Sequence, residues 1–289
     1  MFKKGVITDE ISQDLEIAAR VAKEFGLTGL ELRTVWNKGA HELTDGELDQ
    51  ARKIASAYDL EIPAVSPPFF KCELNSPEEI AGHYEILAKS IAAAEKLGAK
   101  FIRGFAFWRR NSDFDLLLPT IVGKFQRPIA MLKEAGLTLA LENEPSTYNC
   151  NAARTVQVIE ALDSPQIRAL WDAGNDVYAR AEPEDPARGY SIIRQYTVHM
   201  HMKDAVHNAE TGEVRGVAVG TGQTDWRGQL QALLSDGYSG YVCLETHYRR
   251  QNKLSESQLN HPGGAEFSSL GEEASRESLG NWLAIMESL

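Results

Sequence analysis

Residues 197–203 read Thr197-Val198-His199-Met200-His201-Met202-Lys203, and the alternation inside this stretch decides how the whole chain is read. Successive side chains of a strand point to opposite faces, so residues two apart share a side. Val198, Met200 and Met202 then form an apolar face fit to pack against helices, while Thr197, His199, His201 and Lys203 form the other. The phase recurs in Leu137-Thr138-Leu139-Ala140-Leu141-Glu142, where three leucines alternate with Thr138, Ala140 and Glu142. In Tyr241-Val242-Cys243-Leu244-Glu245, Val242 and Leu244 take the apolar side and Glu245 the other. Asp172 ends the segment from Ile167 in the same phase, with Ala169 and Trp171 on the helix-facing side.

Outward from these segments, short β-like runs alternate with amphipathic helical stretches along the entire chain. Strands are predicted at Gly5–Glu10, Gly29–Arg33, Glu61–Ser66, Phe101–Phe107, Leu137–Asn143, Ile167–Asp172, Thr197–Lys203 and Tyr241–Thr246. Helices are predicted over stretches such as Leu15–Phe25, Asp45–Tyr58 and Pro77–Leu97. Thr44 with Glu47 three positions on is a capping-box pattern. Gly26, Gly98 and Gly136 stand where a helix would stop before the next strand.

Eight strands alternating with helices imply a parallel sheet, because each crossover returns the chain to the same edge. Eight such units in 289 residues match a single closed (β/α)8 TIM barrel. Composition marks no second domain, so residues 1–289 are expected to form one. Two longer polar, glycine-containing loops, residues 205–223 and 248–267, follow the seventh and eighth strands. Both fall on the face where such barrels carry their chemistry.

Hydrophobic residues make up 43% and charged residues 25%, the proportions of a globular chain. No apolar run is long enough to span a bilayer, so no membrane partner is expected. The opening MFKKGVITDEIS lacks the apolar core and cleavage site of a signal peptide, which predicts a cytoplasmic protein. Lys and Arg number 30 against 41 Asp and Glu, a formal charge of −11, and no basic block stands out. A nucleic-acid partner needs a positive face to neutralise phosphates, so none is expected. Cys72, Cys150 and Cys243 are an odd, widely spaced set without a CxxC pair. That argues against a disulfide framework and against a cysteine-based zinc site.

Four consecutive strands therefore each deliver an inward acid or imidazole near their C-terminal ends: Glu142, Asp172, His201 and Glu245. Three carboxylates converging without counterions are severely unfavourable, since like charges raise each other's pKa and burial adds to the cost. A single bound divalent ion would leave a net charge of only about −1. Oxygen-rich ligation with one imidazole suits manganese first, with magnesium, cobalt or zinc as alternatives. Taken singly, Glu142 or Glu245 reads equally well as the partner of an interior arginine or lysine. The agreement of four strands favours ligation.

The phrases LALENEP, WDAGN, VHMHMKD, GTGQTDW and YVCLETHY, in this order, resemble the xylose isomerase-like barrels, especially the sugar phosphate isomerase/epimerase group. The βα pattern extends the likeness over essentially the whole chain. The resemblance implies that Glu142, Asp172, His201 and Glu245 are the metal ligands, with His201 the second histidine of the His-x-His pair. It also implies that Glu142 and Glu245 exchange protons with a substrate carbon, and that Arg215 is the counterpart of the family's substrate-binding arginine. Partners in keeping with it are a small sugar or cyclitol and further copies of the chain, as a homodimer or homotetramer. Asn175 departs from the pattern, because ketose 3-epimerases carry a histidine three residues after the aspartate ligand. The same change removes a ligand that the multi-zinc DNA-repair endonucleases of the superfamily need.

The activity so implied is isomerisation or epimerisation of a small polyhydroxy carbonyl compound through an enediolate. A lyase or dehydratase acting by β-elimination on an inosose or a 3-keto-glycoside would use the same intermediate. A metal-dependent sugar-binding protein without turnover is the reading from outside enzymology.

His199, Lys203, His247, Trp108 and Arg215 are the substrate-binding candidates, and most have a plainer reading. His199 reads equally as a packed histidine supporting the ligand two residues away. Lys203 reads equally as the ion-pair partner of Asp204 at the rim. His247 keeps the inward phase two residues beyond Glu245, and Trp108 is a rim aromatic for loop packing or for a sugar face. Glu31 and Arg33 share the inward phase of the second strand and read as a mutual pair, and Arg103 faces the same choice. Gly220-Thr221-Gly222 is too short and wrongly placed for a dinucleotide loop.

Overall fold

The computed structural model describes residues 1–110, 113–179, 186–251 and 253–289. Among these, eight barrel strands follow in chain order: β1 (Lys3–Ile7), β2 (Gly29–Glu31), β3 (Ala64–Val65), β4 (Phe101–Gly104), β5 (Thr138–Glu142), β6 (Ile167–Asp172), β7 (Thr197–Met202) and β8 (Tyr241–Leu244). Neighbours pair in parallel in the order β2-β1-β8-β7-β6-β5-β4-β3. The free edges then meet. The amide of Leu30 donates to Glu61 O at 2.9 Å and that of Ser66 to Leu32 O at 2.8 Å, which joins β2 to β3 and closes the barrel.

The strands are wrapped by α1 (Leu15–Glu24), α2 (Asp45–Ala57), α3 (Pro77–Leu97), α4 (Phe114–Ala135), α5 (Ala152–Leu162), α6 (Pro186–Ile193), α7 (Trp226–Ser235) and α8 (Gly271–Glu287). The predicted capping box is present, with the Thr44 hydroxyl accepting from Glu47 N and the Glu47 carboxylate accepting from Thr44 N. Gly98 and Gly136 end α3 and α4 in the left-handed conformation, at φ of 74° and 66°, where a side chain would be strained.

The alternation read from the sequence holds in space. Leu139, Leu141, Met200, Met202, Val242 and Leu244 are buried in the apolar layer that packs with the helices. Each such side chain contributes about 1.5–3 kcal/mol on burial. Most predicted strands run past the observed ones at their C-terminal ends. There the chain leaves the ladder and turns polar side chains over the barrel mouth, as Thr8–Glu10 does in a 3-10 turn. No helix among the described residues is long and apolar enough to cross a membrane.

Both long loops carry structure of their own. After β7 an antiparallel ribbon pairs Asp204–His207 with Val214–Val217. After β8 come two short helical turns, Glu256–Asn260 and Gly264–Ser268, while residue 252 of this loop lies outside the described residues. Asp204 holds the end of the first loop: its carboxylate accepts the amides of Ala205, Gly220, Gly222 and Thr224 at 2.8–3.1 Å. The expected Lys203–Asp204 ion pair is therefore not formed, because backbone amides already saturate this carboxylate. Asp204→Ala is expected to cost on the order of 3 kcal/mol, with Asp204→Asn losing about half as much. Urea unfolding checks the magnitude, and faster proteolysis confined to residues 205–224 checks the location.

Candidate active site

Glu142 and Asp172 are the last residues of β5 and β6, His201 is near the end of β7, and Glu245 follows β8 directly. Strand register brings them together, since Asp172 pairs with His201 and His201 with Cys243, two residues before Glu245. All four are buried, and one ligating atom of each lies within 4.8 Å of those of the others. His201 Nδ1 is 3.3 Å from Glu142 Oε1 and 3.7 Å from Glu245 Oε2.

These carboxylates do have counterions, the interior arginines and lysine that the reading of each glutamate by itself allowed. Lys203 Nζ lies 2.6 Å from Glu245 Oε2 and 2.9 Å from Asp172 Oδ2. The Arg33 guanidinium donates to Glu245 Oε1 at 2.7 Å, and Arg103 lies 3.4 Å from Glu142 Oε2 and 3.6 Å from Glu245 Oε1. Arg33 also pairs with Asp9 at 3.0 Å and Glu10 at 2.7 Å, and Arg249 lies 3.5 Å from Glu10. Glu31 joins through His201, at 2.9 Å.

The network thus holds six carboxylates (Asp9, Glu10, Glu31, Glu142, Asp172 and Glu245) against four cations (Arg33, Arg103, Lys203 and Arg249). With every carboxylate ionised and His201 as the neutral imidazole that ligation needs, two negative charges remain, the number one divalent ion carries in reverse. Donor chemistry and charge together fit a divalent cation at Glu142, Asp172, His201 and Glu245.

The fields inside this network are strong. Burial pushes Asp172 up to about 7; Lys203 opposes the rise, while Glu245 and Glu142 add to it. Burial also raises Glu245, but Lys203, His247 and His201 outweigh it and hold the carboxyl well below its ordinary range. For Glu142, burial and Glu245 push upward and His201 with Arg103 wins, leaving the group lowered. His201 is raised well above the usual imidazole value, because Glu31 and Glu142 overcome its burial. Burial drives His247 well below it, with Lys203, Arg33 and Arg249 acting in the same sense.

Above these four residues opens a cavity of about 600 Å³. Lys203, Asn175, Tyr178 and His247 line its inner part, with Glu144 and Pro145 on one side and Leu254 and Leu259 from the last loop on another. Glu142, Asp172, His201 and Glu245 do not line the cavity themselves, whereas Lys203, Asn175 and His247, which contact them, do. Trp108 is not among the residues that line this cavity; its indole is edge-on to His261 at 5.4 Å and 5.7 Å from the Lys71 ammonium. Arg215 is exposed on the ribbon, whereas its neighbours Glu213 and Val214 line the cavity. His199 lies fully buried in the barrel interior against Glu31, 2.7 Å away, and does not line the cavity.

Glu31 and Arg33 do not pair with each other. Arg33 turns to Asp9, Glu10 and Glu245, and Glu31 to the two histidines. Strand phase placed both inside, and only the closed barrel selects their partners. Asn175 ties Glu142 to Asp172: its amide donates to Asn143 O at 2.7 Å and Glu142 Oε1 at 3.3 Å, and its backbone N to Asp172 Oδ1 at 3.1 Å. Glu10 and Tyr178 carried no motif in the sequence and enter the site through tertiary contacts alone.

Fold and site together define a (β/α)8 barrel whose acid- and histidine-lined mouth gathers at the C-terminal ends of its strands. The chain belongs to the xylose isomerase-like TIM barrel family, whose sequence model matches residues 19–280. No curated protein matches it significantly in sequence. Among solved structures, D-psicose 3-epimerase with D-tagatose from Clostridium cellulolyticum H10 has a TM-score of 0.73 at 14% identity, covering 98% of this chain and 99% of that one. The probable 3-DHS dehydratase of petrobactin synthesis from Bacillus anthracis has 0.70 at 17% identity, covering 99% of each chain. A xylose isomerase-like TIM barrel protein from Mycobacterium smegmatis in complex with magnesium has 0.67 at 17% identity, covering 96% of this chain and 97% of that one. At such identities the likeness carries the fold.

The position of Asp172 sets a pH dependence. Its folded pKa lies above the ordinary carboxylate value, so the native state binds this proton more tightly than the unfolded chain. The contribution therefore favours the folded state at low pH and fades as pH rises from about 4 through about 7. Metal-free protein is expected to melt lower at about pH 8 than at about pH 5.5, and Asp172→Asn to shrink that difference. Calorimetry in a chelator checks this; identical pH dependence in the two proteins would remove Asp172 as its source.

Proposed function

We propose that this protein is a divalent-metal-dependent isomerase or epimerase acting on a small polyhydroxy ketone or aldehyde. The observation that carries the reading is the convergence of Glu142, Asp172, His201 and Glu245, with a ligating atom of each within 4.8 Å of those of the others. The architecture shared with a D-psicose 3-epimerase and with a magnesium-bound barrel supports it. A divalent ion held by those four residues, manganese before magnesium, cobalt or zinc, would supply Lewis-acid polarisation of a substrate carbonyl and its neighbouring hydroxyl.

The protein's own groups do the rest. Glu142 and Glu245 stand on strands separated by β6 and β7, so they address a bound carbon from different sides. Both are held below their ordinary pKa and are ionised at neutral pH, ready to accept a proton from the carbon next to the carbonyl. One removes that proton, and the other, after taking up a proton from solvent, delivers it to the opposite face of the enediolate. Asn175 fixes Glu142 through its amide. Lys203 and His247, at the inner part of the cavity, present donors to substrate hydroxyls. The two long loops roof the cavity and limit water, which protects an enediolate from side reactions.

Manganese-loaded enzyme is to be screened against ketoses, inososes and 3-keto-glucosides in deuterated water. Turnover is expected to place deuterium at the epimerised carbon, with about one metal ion per chain. Glu142→Gln and Glu245→Gln are expected to lose about 10²–10⁴-fold in rate under saturating manganese. Recovery of both variants to near wild-type turnover on adding manganese would make the glutamates ligands only. An unsaturated product or a released aglycone would move the assignment to elimination.

A further inference from the structure

Glu31 is the one member of the buried network with no arginine or lysine partner among the described residues. It ends β2, across the barrel interior from β7, and is fully buried. Its Oε1 lies 2.9 Å from His201 Nε2 and its Oε2 lies 2.7 Å from His199 Nε2. The Ser66 hydroxyl donates to the same carboxylate. The Cys243 thiol also contacts it, and a buried carboxylate held by imidazoles, a hydroxyl and a thiol, without a permanent cation, is an expensive arrangement for packing alone.

The geometry of His201 shows what the arrangement achieves. A carboxylate only accepts, so His201 Nε2 must carry the proton that Glu31 receives. The other ring nitrogen, Nδ1, then faces Glu142 and Glu245, the direction of the proposed cation. Without Glu31 the ring could turn or shift its proton to Nδ1, where Glu142 would accept it. His199 contributes from the other oxygen: its Nε2 donates to Glu31, its Nδ1 has no partner among the described residues, and its ring packs edge-on to His201 at 5.6 Å.

We infer that Glu31 is a positioning residue for the metal site. It clasps His199 and His201 together and holds His201 with its Nδ1 lone pair aimed at the cation. His199 is the brace that fixes Glu31, which gives the His-x-His pair two distinct roles. The inference rests on the metal reading of Glu142, Asp172, His201 and Glu245 given above.

The test is the binding of Mn2+ alone to metal-free protein, by titration calorimetry. Binding near one ion per chain by the wild type is the condition for both readings, and its absence would sink the metal assignment before any variant is made. Given that binding, Glu31→Gln is expected to weaken Mn2+ by about 10–100-fold, the usual consequence of losing a carboxylate behind a ligating histidine. Glu31→Asp, which keeps the charge but shortens the reach, is expected to fall between. Unchanged affinity in a folded Glu31→Gln protein would overturn the inference. Nitrogen-15 NMR of Zn2+-loaded wild type tests it without any variant: His201 is expected to keep its proton on Nε2, and a proton on Nδ1 would overturn it.

Discussion

Six carboxylates and four cations share one buried space at the mouth of this barrel, and the rest of the site is arranged around keeping them there. Removing a charged group from water costs several kcal/mol even after relaxation, and leaving one unpaired costs more. The chain meets this by sharing cations. Arg33 serves Asp9, Glu10 and Glu245 at once, and Lys203 bridges Asp172 and Glu245. Because these residues follow β1, β2, β6, β7 and β8, the same contacts that balance charge also tie the first strands of the barrel to the last. Closure and site are one construction.

The site is layered by depth. Glu31 and His199 lie lowest, the four convergent donors above them, and Lys203, Asn175 and His247 meet the cavity that the two long loops cover. Each layer orients the next through hydrogen bonds, so no donor of the central set depends on packing alone. The arrangement has a thermodynamic consequence. Asp172, raised to about 7 by burial, is a group the metal-free fold tolerates poorly and a divalent cation would reward.

A barrel shared at 14–17% identity with an epimerase, a probable dehydratase and a magnesium-bound relative does not choose a reaction by itself. Epimerisation and β-elimination begin from the same proton abstraction beside a carbonyl. What separates them is where the substrate's leaving group lies and what faces it. In this chain those positions belong to the cavity walls, with Glu144 and Pro145 after β5 and Leu254 and Leu259 in the last loop.

The period of two in 137–142, 197–203 and 241–245 was legible from the chain alone, and with it the eight-strand rhythm, the capping box at Thr44 and the inward placement of Glu142, Asp172, His201 and Glu245. Alternation is a local property, set by the backbone of each strand whatever surrounds it. Partner choice is not local. Glu31 and Arg33 look like a pair when only their own strand is in view, and Lys203 and Asp204 look like another. The closed barrel instead hands Arg33 to Asp9, Glu10 and Glu245, and Lys203 to Asp172 and Glu245, while loop amides take Asp204. The energy of a charge pair depends on separation and on the water excluded around it, and both quantities exist only once distant strands have met.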